Sequence, residues 1–128
     1  MADAGGKTKR EMESAACTAL DRFAREFLGW PPRTTRAYLI HGLLVIRFQG
    51  ELSAGELRLL QTPDRGRDLV KQMRCDLVEM ARPILGAMVE EITGLKVVSL
   101  HHDLSTVTGE EVLFFTLAQS PPVLTTRK

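Results

Sequence analysis

The stretch 97-VVSLHHDLSTVTGEEVLFFTL-117 holds two β-rich runs around a polar turn. Val97 to Leu100 and Val112 to Leu117 are dominated by β-branched, aromatic and aliphatic residues. Between them, Ser105, Thr106, Thr108 and Gly109 supply turn chemistry. The reading is a strand over about Lys96–His102, a loop, and a second strand over about Glu111–Ala118.

The preceding segment carries helical periodicity. From Asp64 to Ile92 the apolar positions Leu69, Met73, Leu77, Met80, Ile84, Met88 and Ile92 recur every three or four residues, and Val70, Leu85 and Val89 widen the stripe. This row is expected to face the core. Pro83 cannot donate to the carbonyl of Glu79, so a kink or break is expected just before it, and Gly94 is the expected stop. Ser53 with Glu56 three residues later has the form of a capping box, opening a short helix to about Gln61.

Further back, Thr35–Ile40 and Leu43–Gln49 read as strands. His41-Gly42 between them suits a primed hairpin turn, and Leu44, Ile46 and Phe48 share one face. Ahead of them, Met12, Ala16, Leu20, Phe23 and Phe27 place a helix over Lys9–Leu28, with Asp21 and Arg25 paired on its outer side. Gly29 ends that helix, and Pro31-Pro32 prevent its restart. The order helix, strand, strand thus occurs twice. It predicts one α+β domain over 9–119, with four mainly antiparallel strands packed on helices. Residues 1–8 read as a flexible leader and 120–128 as a flexible tail.

Composition narrows the function. A net charge of +1 with dispersed Lys and Arg lacks the footprint of a nucleic-acid binder, and 5% aromatic content offers no stacking platform. No apolar run approaches the roughly 20 residues that cross a bilayer. Cys17 and Cys75 stand alone in helices, outside any CxxC. They read as reduced thiols of a cytoplasmic protein.

The chemical candidates are few. His101-His102-Asp103 is the densest polar cluster, but adjacent strand residues point to opposite faces, so His101 and His102 cannot readily share an ion. His101 and Asp103 can share a face, with no third ligand near them in sequence. No metal and no cofactor are therefore expected. Asp103, Ser105 and Thr106 suit a turn leaving the strand. Arg67, Arg74 and Arg82 form a row on one side of the long helix. It could bind an anion or an acidic partner, or form a solvated face paired with Asp68, Asp76 and Glu79. No Gly-x-Ser-x-Gly occurs, and Gly5-Gly6-Lys7-Thr8 follows no strand. No catalytic residue is expected. Val97 with Ser99 opposite Val98 with Leu100, and Phe114 beside Phe115, put apolar side chains on both faces of the final hairpin, which suggests self-association as a homodimer.

Three segments carry a family resemblance: 41-HGLLVIRFQGELSAGE-56, 66-GRDLVKQMRCDLVEMARPIL-85 and 97-VVSLHHDLSTVTGEEVLFFTL-117. In this order they resemble the MpsC-like family. The family pattern of His, a variable residue, Asp, an aliphatic residue and Ser falls on His101, His102, Asp103, Leu104 and Ser105. That leaves His102 at the variable position. The resemblance implies a non-enzymatic accessory domain beside a membrane system for ion or inorganic-carbon transport, at the inner face of the membrane. His101, Asp103, Ser105, Arg74 and Arg82 are the positions expected to bind a ligand or a transport-protein partner. The alternative is a small-ligand or anion sensor built on the same residues.

Overall fold

The computed structural model describes residues 6–123. Residues 1–5 of the expected leader and 124–128 of the expected tail lie outside them. Helix α1 spans Lys9–Phe23 and continues as one wide π turn over Ala24–Leu28. Thr8 opens α1 with a reciprocal capping box to Glu11, so the leader's last residue belongs to the fold. Strands β1 (Thr34–Ile40) and β2 (Leu43–Gln49) follow, then α2 (Ala54–Leu59), α3 (Arg65–Met80), α4 (Arg82–Thr93), β3 (Val97–Leu104) and β4 (Glu111–Leu117). The sheet order is β1-β2-β4-β3, and all three pairings are antiparallel.

Both helix–strand–strand blocks turn at a left-handed glycine, Gly29 at φ 80° and Gly94 at φ 76°. Each donates its N–H back to a helix carbonyl, of Ala24 and Glu90 respectively. In the first hairpin the positive φ falls on His41 (55°), not on Gly42. Gly42 instead lies against the backbone of Gln119.

One face of the sheet is packed by helices. Leu39, Leu44, Ile46, Phe48, Leu100, Leu113, Phe115 and Leu117 project from it into Met12, Ala16, Leu20, Val78, Leu85 and Val89. The strand phase read from the sequence holds, since Leu44, Ile46 and Phe48 are all buried. Helix α1 departs in its last turn. The π turn shifts the phase, so Ala24 and Leu28 are buried while Phe27 is 42% exposed and stacks on Phe23.

The long helix breaks at Ala81, just ahead of Pro83, as expected from the missing proline N–H. Its buried face is not the expected stripe. Val70, Arg74, Val78, Ala81, Leu85, Val89 and Ile92 point inward, whereas Leu69, Met73, Met80 and Ile84 are exposed. The stripe is rotated by about one residue because Arg74 occupies an inward position. An arginine is ordinarily assigned to solvent, so a count of apolar residues passes over it. Strand β3 also runs two residues past its expected end. Leu104 is buried with Leu52 and Val70 and pairs with Glu111, and this holds Asp103 in the strand rather than in the turn.

Candidate functional site

On the inner face of the sheet, Glu111 sits between Phe48 and Leu104 in the register. It lies under Arg74 of α3, beside the first turn of α2. Arg74 donates from Nε to Glu56 Oε2 (2.7 Å), from Nη2 to Glu56 Oε1 (2.9 Å) and from Nη1 to Glu111 Oε1 (3.0 Å). Its guanidinium lies 4.0 Å from the Trp30 ring centroid. Glu56 also closes the Ser53 capping box, accepting the Ser53 N–H at 2.8 Å, so the cap and the ion cluster share one carboxylate. The Trp30 indole N–H is buried and finds no partner among the described residues.

One guanidinium therefore serves two buried carboxylates. Burial pushes the Glu111 carboxyl up to about 7, and Arg74, already held bidentately by Glu56, offsets this only in part. For Glu56 burial also opposes ionisation, but the hydrogen bonds from Arg74 and Ser53 outweigh it and keep the group below the usual range. This sets a pH dependence. The folded value for Glu111 lies above its ordinary 4.5, so its contribution to stability is whole below that pH and lost as the pH climbs through about 7. Wild-type urea midpoints should fall between those limits. Glu111→Gln should flatten the slope, and equal slopes in the two proteins would refute the assignment.

Next to this cluster, α3 and the edge strand β3 frame a cleft of about 480 Å³ lined by Lys71, Gln72, Cys75, His102 and Asp103, among others. His102 lies on the inner face of β3 with its side chain only 9% exposed. Its Nε2 is 2.7 Å from Glu79 Oε2. Arg82 donates to the same carboxylate from Nε (3.0 Å) and Nη2 (2.7 Å), and it also reaches the Leu100 carbonyl. These hydrogen bonds, that of Arg82 first and then that of His102, hold Glu79 down at about 2. Cys75, one helical turn before Glu79, completes a group whose donor atoms all lie within 4.8 Å of one another. Desolvation, then the carboxylates of Glu79, Asp76 and Glu111, push the Cys75 thiol up, with Arg82 opposing.

The residues singled out in the sequence separate in space. His101 is exposed on the opposite face of β3, across from Phe114. Asp103 pairs with Lys71 Nζ at 3.0 Å, which together with the Leu104 N–H holds it below the usual range. Ser105 shapes the turn: its Oγ accepts the Thr108 N–H, and its carbonyl accepts the Gly109 N–H. The arginine row does not present one surface. Arg67 pairs with Asp64 and Asp68, Arg82 with Glu79, and Arg74 is buried. Sequence reasoning named Glu56 as a cap and Glu79 as a partner of the arginine row, both as found, but missed their places beside Arg74 and His102, missed Trp30 and Glu111, and set His102 behind His101. The available signal was the i,i+4 spacing of Cys75 and Glu79, which aligns both on one helix face.

The family described as Na+-translocating membrane potential-generating system (MpsC) matches residues 8–119. The chain belongs to the MpsC family. A relative described as uncharacterized protein YbcI, of Bacillus subtilis (strain 168), is 30% identical over 111 residues, covering 87% of this chain and 89% of the relative. No solved structure matches. The match takes in every residue of the Arg74 cluster and of the cleft in this MpsC-family chain. Among the described residues no helix is long and apolar enough to cross a membrane.

Proposed function

We propose that the chain is a non-catalytic accessory domain. It acts by binding, as a homodimer, beside a membrane system for ion or inorganic-carbon transport on the cytoplasmic side. The observation that carries the binding role is the apolar stripe left outside the core. Leu69, Met73, Met80 and Ile84 are 46–70% exposed. At roughly 100° per residue the first three fall within about 40° of one another on α3. Three large apolar side chains aligned on one face of α3, with Ile84 also exposed on α4 beyond the break, mark an interface, and methionine suits a contact that must adapt to its partner. A two-fold pairing of the stripe with its copy would bury it on both protomers. The outer sheet face is the lesser candidate. There Val45 is already buried beneath its neighbours, and the Arg47–Glu110 ion pair caps one end. The transport setting rests on the family's description.

Light scattering on the purified chain should give a dimer at micromolar concentration. Met80→Glu, at a position 70% exposed, should give a folded monomer. A monomeric wild type would overturn the homodimer. Affinity purification from the native host should recover a membrane transport protein, and repeated recovery of none would overturn the transport setting.

A further inference from the structure

We infer that Cys75, Glu79 and His102 form a binding site for a borderline-soft divalent cation of the zinc type. The inference stands apart from the homodimer. Cys75 and Glu79 are four residues apart on α3, so both face the edge strand. His102 approaches from the inner face of β3, 23 residues further along the chain than Glu79. A thiol, an imidazole and a carboxylate within 4.8 Å of one another lie near the donor spacing of a tetrahedral ion, roughly 3.3–3.8 Å, and the 2.7 Å contact of His102 with Glu79 opens slightly to admit it. Glu79, long and 44% exposed, can supply that movement.

The surroundings fit such an ion. Arg82 holds both oxygens of Glu79, orienting the carboxylate from behind as metal-ligating carboxylates are commonly held. Asp76, Glu111 and Asp103 lie around the group, with Lys71 and Arg82 as the opposing cations. The cleft adjoins Cys75 and His102, leaving a fourth position for water or a small ligand. Binding releases the Cys75 thiol proton to solvent, His102 ligates through Nε2 as the neutral ring with its hydrogen on Nδ1, and no oxidation state changes. Thiolate with imidazole selects zinc over magnesium or calcium, which take oxygen ligands.

The test is titration of the chelator-treated full chain with Zn2+ by calorimetry and with Co2+ by absorption. One equivalent should bind, and the cobalt form should show a thiolate-to-metal charge-transfer band. Cys75→Ser and His102→Ala should each weaken binding at least about 100-fold, since even outer-shell changes cost 10–100-fold. Glu79→Gln, at an exposed position, is a third variant that need not disturb the fold. Cys17→Ser and His101→Ala should bind as the wild type does, because Cys17 donates instead to the Thr35 carbonyl and His101 faces away. Absence of one-to-one binding overturns the proposal. So does a charge-transfer band that survives Cys75→Ser or disappears in Cys17→Ser.

Discussion

Arg74→Ala is expected to destabilise the domain by about 3–5 kcal/mol, read from urea unfolding at neutral pH. The side chain is 5% exposed and joins two carboxylates that are 8% and 2% exposed. Removing it leaves Glu56 as an uncompensated buried charge, strips Glu111 of its counter-ion and takes the cation from the face of Trp30. Most of the loss comes from stranded carboxylates, not from the net worth of the ion pairs. Replacing the three charged residues together with apolar side chains of similar volume should therefore recover much of it. Arg74→Lys should fall between, because an ammonium cannot reproduce the bidentate fork to Glu56 while also reaching Glu111. A loss under about 1 kcal/mol for Arg74→Ala, typical of an exposed pair, would show that the cluster is not desolvated.

Gly66→Ala is expected to cost about 3 kcal/mol or more, although alanine ordinarily stabilises a helix. Gly66 lies in the first turn of α3, and a Cβ there would stand 1.7 Å from the Leu59 carbonyl oxygen and 2.6 Å from its carbon. The obstacle is backbone, so no rotamer change relieves it. Either α2 or the start of α3 must move. That movement would disturb Glu56, and with it the carboxylate that anchors Arg74. Gly86 in α4 is the control. A Cβ there meets nothing within 4 Å, so Gly86→Ala should gain about 0.5–1 kcal/mol. Chemical denaturation of the two variants side by side decides the matter, and equal effects would refute the close approach of α2 to α3.

Much of this fold can be read from local signals. Strand β2 needs only its own alternation, with Leu44, Ile46 and Phe48 all turned inward. The Ser53 cap, the break before Pro83 and the turns at Gly29 and Gly94 depend on backbone groups within a few residues, and they occur where the residues place them. Ser105 likewise bonds within its own loop. Phe27 and the Leu69–Met73–Met80–Ile84 stripe went the other way. A π turn changes the phase of α1, and α3 offers two adjacent faces of comparable apolarity over much of its length.

Local sequence thus determined the α+β class and the order and ends of most elements, and three segments carried the resemblance to the MpsC family that the match over 8–119 bears out. Only the tertiary structure decided which face of α3 turned inward, because the choice depends on Glu56 and Glu111, which lie 18 and 37 residues from Arg74 in the chain. It also set His102 beside Glu79 and left His101 on the far face. One residue along an extended strand reverses the direction of a side chain, and the partner that gives the direction meaning is brought close only by packing.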